Sequence, residues 1–438
     1  MFRTLLIVSA VLGAAAAASV LGVSNASPAP AGEPTWGAPQ VISTPGTGGD
    51  HPTVAVDAAG DTTAVWTRGR RVFAARRPAG GRWRAPVEIG WGRYASPQVG
   101  ADARGNVTVV WAGGPRWRVM GARRPAGGHW SRPVALSESG HGPYAGPVAQ
   151  DPLLAVGRGG AVVVGWLYTR WEDESPFRGR AEAVYRPARG RWSAPRVLAR
   201  RVYHGPSVGI DARGDVTAVF EGARGRVRAV RRVVGRGWLA SVPLSPGQHG
   251  WVQADVAVDA RGDATAIWDS DGKQRAVSRP HLGRWSTPVR VDASGASADV
   301  WTLTMDDAGT ALVVLSDAEG RISVRSKPLH GDWRRPEMVQ AAGSTEFSGL
   351  AVNPRGDALL TWTEGDWATF THLTRHAAYR PRGGTWGAPR RVARAEFASV
   401  ALDRTGDATA VWGRSGGIGR IWARTMTAPA PLVAAGIP

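Results

Sequence analysis

The chain has 438 residues, no cysteine and a formal net charge of +19. Without cysteine, thiol catalysis, disulfide staples and lipoprotein attachment are excluded, so stability must come from packing. The charge points toward an anionic partner. Only Lys273 and Lys327 are lysines, however, and an arginine skew with abundant Ala, Gly and Pro is what the coding of a high-GC bacterium produces.

The N-terminus reads as an export signal. Arg3 is a minimal positive region, Leu5 to Val23 is apolar, and Ser24-Asn25-Ala26 is a small-residue cleavage site. The expectation is a cleaved signal over 1–26 and a secreted product. The apolar stretch is also long enough to serve as a retained membrane anchor. Residues 27–34 form a Pro/Ala linker, 35–426 the folded domain, and 427–438 a short tail.

The next segment, Trp36 to Ser43, has the composition of a single strand. From there a motif recurs with a period of about 47 residues. One marker is Trp followed closely by Pro: Trp36, Trp83, Trp130, Trp192, Trp285, Trp333 and Trp386, with Trp238 in register but lacking the Pro. A second is an Asp-x-x-Gly turn beginning at Asp57, Asp102, Asp211, Asp259, Asp306 and Asp403, with Gly157 and Asn353 completing the column. Nine residues after the turn begins comes a bulky residue: Trp66, Trp111, Trp166, Phe220, Trp268, Leu315, Trp362 or Trp412.

Each copy reads as four strands. In the second copy these are Pro97–Ala101 (a), Val107–Trp111 (b), Val119–Arg124 (c) and Trp130–Leu136 (d). Asp opening the a–b turn and Gly three residues later fit a type I turn closed by a left-handed residue. Four short strands per copy make one propeller blade. The last copy ends after strand c, so the Trp36–Ser43 strand completes it. The expectation is all-β: an eight-bladed propeller of four-stranded antiparallel blades, closed by the N-terminal strand. Seven blades would require excluding one copy, and none stands apart.

The copies at 256–268 (VAVDARGDATAIW) and 399–412 (SVALDRTGDATAVW) resemble secreted bacterial propeller repeats of the NHL type. They are also distantly similar to the Asp-box repeats of sialidases. They depart from the Asp box in having two residues between Asp and Gly. The resemblance spans nearly the whole folded domain and implies a propeller; it specifies no activity.

In a propeller, the d–a and b–c loops share one face, here the top, and the a–b and c–d loops share the other. Three top connections are long: 139–146, 167–178 and 363–372. Loops that deviate on a regular scaffold are where function concentrates. Candidate ligand-binding residues on them are His141, Tyr144, Trp171, Glu172, Asp173, Glu174, Glu364, Asp366, Trp367 and His372. A second top-face set precedes or begins strand a: His51, Tyr94, Tyr203, Trp251, Trp301, Phe347 and Phe397, of which Tyr94, Tyr203, Trp251 and Trp301 join the candidates. The two Trp columns are assigned to packing between blades, because they recur in fixed register.

A cation ends every strand c: Arg77, Arg124, Arg186, Arg232, Arg279, Lys327, Arg380 and Arg424. It is expected to pair with turn carboxylates such as Asp61, Asp215 and Asp263. The alternative is a basic ring for an anionic surface. The turns lack the oxygen density of a calcium loop, the histidines lack zinc spacing, and neither a Gly-x-Ser-x-Gly elbow nor a phosphate loop is present. No metal or other cofactor is expected. The favoured function is a non-catalytic extracellular monomer binding a glycan, wall polymer or protein through its top face; nucleic acid is not an expected partner. The alternative is a sialidase-like carbohydrate-active enzyme using Glu172 and Glu364.

Overall fold

A computed structural model describes residues 33–44, 49–92, 96–140, 147–170, 179–247, 252–270, 272–292, 299–317, 319–340, 345–366, 371–394, 397–413 and 419–429. The expected signal over 1–26, most of the expected linker and the tail from 430 lie outside them. The fold is an all-β propeller of eight antiparallel sheets, each built from four strands in the order a-b-c-d. The inner strands are Asp50–Val56, Gln98–Ala101, Pro147–Val156, Ser207–Ile210, Ala254–Val258, Asp299–Met305, Thr345–Val352 and Phe397–Leu402. Each lies beside the inner strand of the next blade, and the eighth lies beside the first.

Both faces of a blade are covered by neighbours, so strand b reads as a continuous apolar run rather than an alternation. Val107–Trp111 is buried at every position. Trp66, Trp111, Trp166 and Trp362 are among the largest fully buried side chains. They sit between sheets: Trp66 of blade 1 packs with Ala401, Val411 and Ile421 of blade 8. This burial takes the strand-b tryptophans out of any ligand surface.

In several blades strand d is shorter than its sequence suggests. In blade 2 only Val134–Ala135 pairs, against Gly121 and Met120. The preceding Pro133 has no amide hydrogen to add to the ladder, which blunts the outer edge. The same interruption splits the N-terminal strand at Gly37-Ala38-Pro39. Thr35 and Trp36 pair with Thr427 and Met426, then Gln40 and Val41 pair with Ala423 and Trp422. The chain's first strand thus supplies strand d of the last blade.

The turn column explains its own composition. The Asp259 Oδ1 accepts backbone N–H bonds from Arg261, Gly262 and Asp263 at 2.8–2.9 Å. Asn353 does the same with Arg355, Gly356 and Asp357. Gly262 sits at φ 97°, in the left-handed region open to glycine at no cost. The carboxylate or amide four residues after the turn begins acts elsewhere, capping the c–d turn of its own blade. Asp61 accepts from Ala79 N, Asn106 from Ala126 N, Asp215 from Val234 N and Asp357 from Arg382 N, at 2.8–3.1 Å. The two bottom turns of each of these blades are therefore one hydrogen-bonded unit.

The strand-c cations are placed differently from the expected pairing. The ion pairs to Asp61 and Asp215 come from Arg76 and Arg231, one residue before the column. Alternation along the strand explains the exchange, since neighbouring side chains point to opposite faces. The column cations lie over tryptophans of the Trp-x-x-Pro column: Arg77 over Trp83, Arg279 over Trp285 and Arg380 over Trp386, at 5.4–6.0 Å. Arg77 and Arg279 also reach back one blade, donating to Thr409 and Thr217. Burial pushes the Arg279 guanidinium down to about 10. These cations belong to the scaffold, not to an open basic ring.

Candidate functional site at the channel mouth

The inner strands run from the top face to the turn column, so their first residues ring the top of the channel. Position by position, this ring is the least repeated part of the wheel. Six residues before the turn, blade 1 has His51 and blade 3 has Asp151; both precede proline. Both adopt φ 51°, a left-handed backbone that L-residues enter at a cost. In each strand the register against strand b shifts at this point, between Asp50 and Thr53 and between Gln150 and Leu153. The shift re-aims the side chain, as bulges do.

Asp151 is exposed, yet burial among surrounding protein pushes its carboxyl up, opposed by the nearby His204. Water contact with protein on all sides is the environment of a channel wall. Burial likewise pushes the His51 imidazole down, while Asp50 pulls it up. Asp255 is half-buried deeper in the wall, and burial raises its carboxyl too.

The connection into blade 4 completes the mouth. It carries Arg201 at φ 60°, then Tyr203 and His204. The Tyr203 N–H donates to Glu221 Oε2 at 3.3 Å, and His204 Nδ1 lies 3.9 Å from the same oxygen. Glu221 ends strand b of blade 4 and is buried. A carboxylate at the end of one strand thus holds the loop that brings His204 within electrostatic range of Asp151.

Below the mouth the wall is stitched by side chains four residues before the turn. Val54 N donates to Ser399 Oγ, Val256 N to Ser207 Oγ and Leu303 N to Asp255 Oδ2, at 3.1–3.3 Å. Each bond joins a blade to the one before it. Ser207 Oγ also donates to Asp255 Oδ1 at 2.5 Å. Asp255 therefore binds inner strands of three consecutive blades and serves the wall.

The sequence candidates fall into three groups. Tyr203 and Glu364 are described with their side chains. Asp366, His372 and Trp301 lie on described strands, with their side chains outside the described set. His141, Tyr144, Tyr94, Trp171, Glu172, Asp173, Glu174, Trp251 and Trp367 lie outside the described residues. The long connections are partly strand: strand b continues to Arg170 in blade 3 and to Asp366 in blade 7.

Glu364 is already engaged. It accepts from Trp362 Nε1 at 3.0 Å and lies 3.3 Å from His376 Nε2, with the Trp362 and His376 rings stacked at 5.9 Å. Blade 3 has a counterpart in Glu182, which accepts from Trp166 Nε1 at 3.2 Å and pairs with Arg180 at 2.8 Å. Arg180 lies 4.4 Å over the Tyr168 ring and also pairs with Glu138. These networks brace the two extended hairpins. Among the described residues no group of three or more His, Asp or Glu could hold a metal ion.

Asp151, His204 and Glu221 do not stand out in the sequence. The usable signal is small: His51-Pro52 and Asp151-Pro152 occupy the same column in two copies. Glu221 and His204 lie far from Asp151 in sequence and meet only through the fold.

No family model and no curated protein matches this sequence. Solved structures share the fold. A lectin from Burkholderia pseudomallei, BP39L, superposes with a TM-score of 0.55 at 15% identity, covering 81% of this chain and 100% of that one. An ulvan lyase of polysaccharide lyase family PL25 gives 0.49 at 12%, covering 87% and 94%. Aleuria aurantia lectin gives 0.39 at 11%, covering 69% and 98%. At these identities the likeness is one of fold.

Proposed function

We propose that this chain is an exported, non-catalytic propeller that binds a glycan, such as a wall polysaccharide, at the top mouth of its channel. The observation that carries the reading is Asp151 on strained backbone in the channel wall, with His204 in electrostatic range. Strain of this kind persists where the surrounding structure enforces it, and it clusters at ligand sites. A carboxylate and an imidazole that reach water inside a concave wall are suited to the hydroxyl groups of a sugar. The use of the same fold by a lectin is consistent with the reading. The apolar segment 5–23 supports export.

The test is a glycan array probed with the protein, followed by calorimetry on any hit. Asp151→Ala and His204→Ala should each weaken binding at least tenfold. His281→Ala, on the opposite face, should leave it unchanged. Equal binding by all four proteins would move the site elsewhere. Turnover of a glycoside on the same panel would replace the binding reading with a catalytic one.

A further inference from the structure

The a–b turns meet at the bottom of the channel, and their second residues form its innermost ring. Four of the eight are alanine: Ala58, Ala103, Ala212 and Ala260. Neighbouring turns are joined by main-chain bonds at this position. Ala103 N donates to Arg158 O at 3.3 Å, Ala212 N to Ala260 O at 3.1 Å, and Asp307 N to Pro354 O at 3.4 Å.

Four copies depart from alanine, at Arg158, Asp307, Pro354 and Arg404, and the opposite charges of Arg158 in blade 3 and Asp307 in blade 6 face each other across the ring. They meet: Arg158 Nη2 lies 2.5 Å from Asp307 Oδ2, with side chains only 12% and 22% exposed. Blades 4 and 5 lie between these turns along the ring, so the pair spans the opening. Copy 3 is altered to permit this. A Cβ on Gly157 or Gly159 would lie 2.7 Å from Asp211 O or 2.8 Å from Ala212 O in the next turn. Glycine lets the blade 3 turn sit tightly against blade 4 while carrying the long arginine inward.

We infer that the channel is a blind cup, barred at the bottom by the Arg158–Asp307 bridge, and that a glycan engages it by a chain end rather than by threading. The second half rests on the glycan-binding reading; the first half does not. A chain that enters at the top meets the bridge and the ring of joined turns. Recognition is then confined to the terminal sugars, and affinity stops growing once the cup is filled.

Two measurements separate the halves. The chain has no cysteine, so an Arg158→Cys/Asp307→Cys variant carries a unique pair. A short bis-maleimide should cross-link it within one molecule, detected by intact mass. Double single-ended modification without a cross-link, in a variant whose circular dichroism matches the parent, would overturn the closed exit. For the ligand, an array should present each saccharide attached once through its reducing end and once through its non-reducing end. Binding should differ at least tenfold between the two attachments, and chains anchored at both ends should not bind. Equal binding to all three presentations would overturn end recognition. Binding to none would refute the glycan reading and leave the cross-link result standing.

Discussion

Asn353 donates from Nδ2 to Asp357 Oδ2 at 2.7 Å, at a position where blade 5 sets Asp259 against Asp263. Blade 2 makes the equivalent bond from the other side, with Asn106 Nδ2 donating to Asp102 Oδ2 at 2.7 Å. Blades 2 and 7 thus resolve a carboxylate pair with one amide; blade 5 does not. Burial, with the neighbouring Asp263 charge adding to it, pushes the Asp259 carboxyl up to about 7, and its Oδ2 is buried without a hydrogen bond.

Asp259→Asn should therefore stabilise the wheel at neutral and alkaline pH. The amide keeps the Oδ1 acceptor and turns a repulsion into a hydrogen bond. At this buried site the gain should be about 1–2 kcal/mol at pH ~8. The sign follows from linkage. A raised native pKa gives stability that is present below the unfolded value and lost as pH rises through about 7. The parent itself should thus become more stable as pH falls from ~8 to ~5, and the variant's advantage should vanish over the same range. Urea denaturation at the two pH values measures both; an equal advantage at each would sink the account.

The seam at which the ring closes yields a second expectation. Arg424 lies 5.7 Å over the Trp36 ring and donates to Gly37 O, repeating the strand-c cation and Trp pairing of other blades. Trp36→Ala should cost about 2 kcal/mol, less than a fully buried Trp would, because Trp36 is half-buried. Deleting residues 33–43 should cost more and expose the edge of Trp422–Thr427, leading to aggregation. Chemical denaturation and light scattering report the two effects. A truncated chain as stable and monomeric as the parent would refute closure by the first strand.

The seam and the blade count are legible in the sequence because scaffold features repeat. A turn Asp that accepts three amides, a left-handed Gly and a Trp between sheets are required once per blade, so each forms a column. The channel mouth is not legible for the opposite reason. His51 and Asp151 stand in one column with no repeated identity, and Glu221 reaches Tyr203 only because strand b of blade 4 ends beside the loop from blade 3. The Arg158–Asp307 contact joins two exceptions 149 residues apart. Proximity in sequence misplaces the strand-c ion pairs by one residue, because it does not tell which face of a strand a side chain takes.

Glycines of similar backbone but different surroundings give a third expectation. Gly105 and Gly127 have φ 81° and 68°. A Cβ on Gly105 would lie 2.8 Å from Asp57 Oδ2 of the preceding blade, whereas one on Gly127 would meet nothing. Gly127→Ala should cost only the left-handed strain, about 1 kcal/mol, and Gly105→Ala about 2–3 kcal/mol. Equal losses in thermal unfolding would mean that the interblade contact contributes nothing.

Asp151 offers the sharpest separation of stability from function. Its φ of 51° costs an aspartate more than it costs a glycine, and its carboxyl is raised by burial. Asp151→Gly relieves both while leaving the backbone path open. The variant should be at least as stable as the parent, by up to about 1 kcal/mol, since relief of strain offsets the entropy glycine adds to the unfolded chain. It should also lose at least tenfold in affinity for any glycan identified on the array. Asp151→Asn, which keeps the shape without the charge, should lie between the two in affinity if the carboxylate accepts from sugar hydroxyls. A clear loss of stability in Asp151→Gly would show that the carboxylate serves the wall, as Asp255 does, and that the mouth is built around another residue.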